Sequence, residues 1–162
     1  MTALRALALA DALAVRRIYS GASVTYLMRP EMTEPEAEQY VIRIQEWAAA
    51  DPIVQYVLGV DVGGDLVGVV KLDRRPNAHG RVSYVFREDT WGRGYATGAV
   101  QQLITFAFTT AAFESLGAKH HPDNPASGRV LTKAGFTRLR ADDGFVHYQL
   151  EHAYPAAEGN VP

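Results

Sequence analysis

Two groups of residues in this chain have the types and spacing needed to handle a phosphorylated ligand. The first is Trp91-Gly92-Arg93-Gly94-Tyr95-Ala96-Thr97, a glycine-rich turn running into a helical pattern. Glycines at 92 and 94 let successive backbone N–H groups point inward with no Cβ in the way. The free amides of Tyr95, Ala96 and Thr97, at the positive end of the helix, would complete an anion site, with Arg93 or Arg87 adding charge. The other reading of Gly92 and Gly94 is a plain strand-to-helix turn. The second group is Asn124-Pro125-Ala126-Ser127, continuing to Lys133 and the Gly135-Phe136 stop. Asn124 is placed as N-cap, Pro125 at N1 and Gly135 at the C-terminal stop. Asn124 and Ser127 fall about one turn apart on a shared face. Lys133 reads as a solvated lysine suited to the end of a helix.

The pattern around these groups is one of short alternating elements. Residues 3–9 read as a strand and 10–19 as a helix, with 22–32 irregular. Residues 33–50 form an amphipathic helix: Thr33 and Glu36 make a capping-box pair, and Tyr40, Val41, Ile44 and Trp47 give the apolar stripe. Strands follow at 53–60, 65–74 and 80–88, the first two joined by Gly63-Gly64. A helix at 94–109, a strand at 115–121, a helix at 124–135 and strands at 136–140 and 145–152 complete the order. An antiparallel meander thus leads into a β-α-β-α section, which predicts a mixed-sheet α/β domain over 1–154 and a frayed tail at 155–162.

Composition narrows the partners. The chain has 162 residues, a formal charge of −2 and no cysteine. It has no global basic field for nucleic acid, no thiol for covalent catalysis or metal binding, and no apolar run long enough for a membrane span. The expectation is a protein of a reducing, cytoplasmic compartment with no metal, nucleic-acid or membrane partner. The apolar start resembles a secretion signal, but Asp11 interrupts it and a first strand and helix fit better.

A dinucleotide loop is disfavoured, because only about 70 residues follow the glycines, too few for two βαβαβ halves. The polar insert Arg87-Glu88-Asp89-Thr90 also separates strand from loop. No G-x-x-x-x-G-K-[ST] string is present.

The pair of motifs instead resembles the GNAT superfamily of acetyl-CoA-dependent N-acetyltransferases, and within it the RimJ/RimL-type branch. The matching positions are Trp91, Gly92, Gly94, Tyr95, Ala96 and Thr97, then Asn124, Ser127, Val130, Leu131, Lys133, Gly135 and Phe136. The resemblance implies a mixed, mainly antiparallel sheet of about seven strands flanked by about four helices, with a splayed parallel pair at its centre. It implies that the pantetheine arm of coenzyme A enters that gap and pairs with backbone around Val85, Phe86 and Arg87, that Asn124 and Ser127 face the gap, and that Lys133 meets cofactor phosphate. Homodimers are common in the branch. The chain departs from the pattern at Gly98, where relatives place glutamate, and at Leu131, where many place a tyrosine acid. Arg81-Val82-Ser83-Tyr84 stands where the branch often reads Glu-Ile-Gly-Tyr.

The implied reaction is acetyl transfer to a primary amine by direct attack in a ternary complex, the amine belonging to a protein N-terminus or a small molecule. A non-catalytic acyl-CoA sensor on the same fold is the alternative. Ser127 is the acid candidate, or else a packing serine. The base is one of Tyr84, His120, His121 and Glu34, or a water chain. His120 and His121 alternate on a strand, so at most one faces the cleft. The acidic run Glu31, Glu34, Glu36 and Glu38 either attracts a cationic amine or complements a helix start.

Overall fold

The computed structural model describes residues 1–153, so the expected domain boundary at 154 and the tail lie outside the described residues. Seven strands form one sheet in the order β1-β2-β3-β4-β5-β7-β6. They are β1 (Ala3–Arg5), β2 (Gln55–Val62), β3 (Asp65–Arg75), β4 (His79–Phe86), β5 (Ser115–His120), β6 (Thr137–Asp142) and β7 (Phe145–Glu151). Every neighbouring pair is antiparallel except β4 and β5. The helices are α1 (Ala12–Ile18), α2 (Glu34–Ala49), α3 (Tyr95–Thr109) and α4 (Pro125–Ala134). This is the expected mixed architecture, with its central parallel pair.

Strand alternation sends side chains into two cores. Val82 and Phe86 of β4 join Val100 and Leu103 of α3 and Leu131 of α4. Val85 turns the other way, to Val15 and Ile18 of α1 and Val41 and Ile44 of α2. The capping box of α2 is formed as read: Glu36 N–H donates to Thr33 Oγ1 at 3.3 Å, and Thr33 N–H to Glu36 Oε2 at 3.4 Å.

Three elements differ from the reading. The first strand stops at Arg5, because Ala8 N–H donates to the Asp11 carboxylate at 2.8 Å and the chain turns there into a short 3-10 helix. Residues 21–24, read as irregular, form another 3-10 turn, tied by Ala22 N–H to Glu88 Oε2 at 3.0 Å. Strand β4 ends at Phe86. Beyond it Thr90 folds back on Arg87, its N–H and hydroxyl donating to the Arg87 carbonyl at 3.0 and 2.7 Å.

The feature that positions the site is a gap in the sheet. β4 and β5 pair only at His79↔Ser115, Gly80↔Leu116 and Arg81↔Gly117. Past Arg81 the ladder stops, although β4 runs on to Phe86 and β5 to His120.

Candidate active site

The edge of β4 that borders this gap follows from the β3–β4 register. Arg87 N–H donates to Val67 O at 2.8 Å, and the register pairs Val85 with Val69. Backbone groups on an antiparallel strand alternate between its two neighbours. Val85 and Arg87 therefore bond to β3, while Tyr84 and Phe86 present their N–H and C=O to the gap. Of the three positions the sequence suggested for backbone pairing, Phe86 alone faces it, and Tyr84 joins it. One gap-facing carbonyl is already occupied: the Trp91 indole N–H donates to Phe86 O at 2.9 Å. Sequence reasoning missed this role of Trp91, whose only signal was an indole donor beside the glycines.

At the mouth of the gap lies the glycine turn. Gly92 and Gly94 have φ of 76° and 78°, and a Cβ at either would meet nothing within 4 Å. The glycines are thus required by backbone conformation, and the space before them is open. The first bond of the α3 ladder runs from Gly98 N–H to Gly94 O at 3.1 Å. That leaves the amides of Tyr95, Ala96 and Thr97 outside the helical ladder, an arrangement suited to an anion. Arg93 and Gly94 border a cleft of about 490 Å³ whose far wall is Met1, Thr2 and Gln102. Gly98 has a local reason: its missing side chain accommodates Thr2, whose Oγ1 would lie 3.2 Å from a Cβ there. Gln102 Nε2 holds that same threonine, donating to Thr2 O and Oγ1 at 2.8 and 2.9 Å.

Arg87 does not serve as added charge for the turn. Its guanidinium makes a forked pair with Asp65 at 3.0 and 2.9 Å and a further bond to Asp89 at 2.5 Å. The polar insert is a brace between loop and sheet, and the positive side chain left at the turn is Arg93.

Across the gap, α4 brings Ser127 to Tyr84. The Tyr84 hydroxyl lies 2.7 Å from Ser127 Oγ and donates to Ser127 O at 3.1 Å. Burial pushes the Tyr84 phenol up to about 12, against a smaller lowering by the Ser127 hydrogen bond. A phenol held that high keeps its proton at neutral pH, so Tyr84 is placed as a hydrogen-bond donor and not as the base. Asn124 stands at the N-cap position, its backbone N–H donating to His121 O at 2.9 Å, but it makes no side-chain cap bond, and its side-chain amide has no hydrogen-bond partner among the described residues. It is half-buried beside Ser127.

Helix α4 sits so close because residue 128 is glycine. A Cβ there would lie 2.7 Å from both His120 Nε2 and the Tyr148 hydroxyl. A glycine inside a helical pattern was the available signal, and it was not used. His120 lies under that helix with both ring nitrogens engaged, Nδ1 at 2.7 Å from His121 O and Nε2 at 3.3 Å from the Tyr148 hydroxyl. This is a packing environment and not that of a base. His121 points the other way and stacks on Tyr26 at 5.4 Å. Its Nδ1 accepts from Asp123 N–H at 3.1 Å, which occupies that lone pair. Lys133 is about 120° round the helix from Ser127. It borders a separate cleft of about 450 Å³ with Arg129, Thr132 and Arg138, away from the glycine turn. Glu31 and Glu36 are also engaged: Glu31 Oε1 accepts from Gly21 N–H at 2.7 Å, and Glu36 closes the α2 cap and pairs with Arg29 at 3.5 Å.

The arrangement can hold a pyrophosphate at the turn, seat an extended arm against Tyr84 and Phe86, and present a donor pair, Tyr84–Ser127, beside the gap. Solved structures with the same fold include RimL, the ribosomal L7/L12 alpha-N-protein acetyltransferase in complex with coenzyme A, at 17% identity and TM-score 0.79 over 93% of each chain. They also include the spermidine N-acetyltransferase from Vibrio cholerae in complex with CoA and spermine, at 16% identity and TM-score 0.77 over 93% of this chain and 95% of that one. The uncharacterized N-acetyltransferase p20 of Bacillus licheniformis is 25% identical over 139 residues, 83% of this chain and 78% of that protein. The uncharacterized N-acetyltransferase YoaA of Bacillus subtilis is 27% identical over 136 residues, 79% of this chain and 75% of that protein. The acetyltransferase (GNAT) domain family matches residues 2–137. With that match across most of its length, the chain belongs to the GNAT acetyltransferase family.

Proposed function

We propose that the protein transfers an acetyl group from acetyl-CoA to a primary amine by direct attack, and that it belongs to the RimJ/RimL-type branch, with the cytoplasmic setting and homodimer which that branch implies. The observation that carries the reading is the 2.7 Å contact between Tyr84 and Ser127 beside a gap whose mouth is a glycine turn opening onto free amides. In this reading the amides of Tyr95, Ala96 and Thr97, with Arg93, hold the pyrophosphate of the coenzyme. Asn124 and the backbone of Tyr84 and Phe86 hold its arm.

The neutral amine nitrogen attacks the thioester carbonyl carbon. A C–N bond forms and the carbonyl electron pair moves to oxygen, where a gap-facing N–H of Tyr84 or Phe86 stabilises it. Collapse breaks the C–S bond. The nitrogen loses one proton to water, the sulfur leaves as a thiolate that takes one proton from water, and the step balances. A thiol has a pKa near 8.5, about 3.5 units below Tyr84 at about 12, so outright proton transfer from the pair to sulfur would cost about 5 kcal/mol. Ser127 therefore acts as the hydrogen-bond donor to the sulfur, with Tyr84 donating behind it, and both keep their protons. When Tyr84 turns its hydroxyl from Ser127 O to Ser127 Oγ, the serine proton is free to point at the leaving group.

The test is thiol release from acetyl-CoA with a panel of amines, alongside calorimetric titration with coenzyme A. Amine-dependent release with saturable coenzyme binding supports the proposal. Binding without release from any amine would identify the sensor instead, and failure to bind coenzyme A would remove both readings.

A further inference from the structure

The far side of the gap has a charge character of its own. Helices α1 and α2 pack mainly on β2 and β3. Beyond β4 that face of the sheet opens into a groove of about 320 Å³, lined by Arg75, His79, Arg81, Lys119, Arg140 and His147, with no carboxylate in its lining. The chain as a whole carries a formal charge of −2, so this concentration runs against the global balance. Three of these side chains have carboxylate partners at the rim, Arg81 with Asp73 at 3.2 Å, Arg140 with Asp142 at 2.6 Å, and His147 with Asp143 at 2.8 Å. Arg75 and Lys119 have no carboxylate within ion-pair distance among the described residues. Lys119 Nζ instead stands 4.0 Å from the centre of the Phe145 ring. The floor is fixed: His79 Nδ1 lies 2.7 Å from Ser115 Oγ, and a Cβ on Gly117 would lie 2.8 Å from His79 Nε2.

The groove also has a position. Arg81 and Gly117 are the last paired residues before β4 and β5 part. Tyr84 lies three residues further along β4, roughly 10 Å at strand spacing. Tyr84 and Ser127 are on the α4 side of the sheet, and the groove is on the other, so a molecule in the groove reaches the gap from the face opposite α4. Of the acidic run that would favour a polycation, two carboxylates are engaged elsewhere, Glu31 on Gly21 N–H and Glu36 in the α2 cap.

We infer that this groove binds an anionic group, a carboxylate or a phosphate, carried by the amine acceptor itself roughly 10 Å from its reacting nitrogen, with Arg75, Arg81 and Lys119 as the binding residues. The inference rests on the acetyl-transfer reading and narrows it to acidic acceptors. Polyamines are the wrong sign for this surface.

The experiment compares kcat/KM for matched acceptors. Ser-Ala-Ala-Ala amide is set against Ser-Asp-Asp-Ala amide, ethanolamine against phosphoethanolamine, and spermidine stands alone. The expected result is a preference of about tenfold or more for at least one anionic member, shrinking as salt is raised. The peptide pair reports a carboxylate and the ethanolamine pair a phosphate. The double variant Arg75→Gln/Lys119→Gln should bring the anionic-to-neutral ratio close to one. Equal rates within both pairs, a preference for spermidine, or a ratio untouched by the double variant would overturn the inference and leave acetyl transfer standing. Thiol release from no acceptor would count against acetyl transfer itself. A second readout then decides the groove: anisotropy of a neutrally labelled, N-acetylated Asp-Asp peptide on the coenzyme A complex. Salt-sensitive binding weakened about tenfold in the double variant supports an anion site, and its absence refutes one.

Discussion

Replacing Tyr84 by phenylalanine removes one oxygen atom and tests two claims together. In stability terms it deletes the 2.7 and 3.1 Å contacts to Ser127, a net loss of about 1 kcal/mol near neutral pH. In linkage terms it acts oppositely at high pH. The folded phenol sits at about 12 against a reference of 10.0. A raised value means the folded state holds the proton more tightly, so its contribution is complete below pH 10.0 and is lost as pH climbs towards 12. The full loss is about 2.7 kcal/mol, and about 1.4 kcal/mol of it has occurred by about pH 11. The variant has no such leg. Its deficit of about 1 kcal/mol near pH 8 should therefore shrink to nothing, or reverse, near pH 11. Urea unfolding of both proteins across that range measures the difference, which cancels the titration of every other group. Amine-dependent thiol release should fall by about tenfold, because Ser127 loses the donor behind it. A constant deficit at every pH would show that the phenol is not held as described, and unchanged turnover would remove the pair from the chemistry.

Ser127→Ala should lower kcat by about 10–100-fold, the loss of one hydrogen bond of about 1.5–3 kcal/mol to a developing charge, with little change in KM for acetyl-CoA. Gly94→Ala puts a side chain at φ 78°, at a strain of about 1 kcal/mol, and should weaken coenzyme A binding far more than it lowers the melting temperature. Gly128→Ala gains about 1 kcal/mol of helix propensity but drives a methyl to 2.7 Å from His120 and Tyr148. Overpacking should win by about 1–2 kcal/mol in urea unfolding and shift α4, so turnover falls too. Gly98→Ala gains about 1 kcal/mol of helix propensity but sets a methyl 3.2 Å from the Thr2 hydroxyl that Gln102 holds, so urea unfolding should show little net change and turnover should be retained.

Local features were the legible ones. The Thr33–Glu36 cap, the Gly92 and Gly94 turn and the start of α4 each depend on residues within one or two turns of chain, and each stands where the pattern placed it. What failed was long-range. Arg87 next to a phosphate loop reads as phosphate-binding, and only the fold shows that β3 brings Asp65 to it. Val85 and Arg87 were assigned to the gap with Phe86 because a strand's two edges cannot be told apart until its neighbours are known. His120 looked like a base until α4 was seen lying on it. Gly98 read only as a departure from the family pattern, and the structure explains it by the packing of the amino-terminal segment across α3.

The three rungs joining β4 to β5 have a mechanical consequence. Five-eighths of β4 has no strand bonded to its gap-facing edge, so the sheet's two halves meet across that line through a short clasp and the packing of α3 on α4. An extended ligand bearing amides would act there as a splint, adding cross-links that neither strand can provide for the other. The protein's resistance to heat should then become a gauge of coenzyme occupancy, rising by about 2.7 kcal/mol at one hundred times the dissociation constant. Amide exchange at Tyr84 and Phe86 should slow in step, while Val85, bonded to β3 throughout, keeps its own pace.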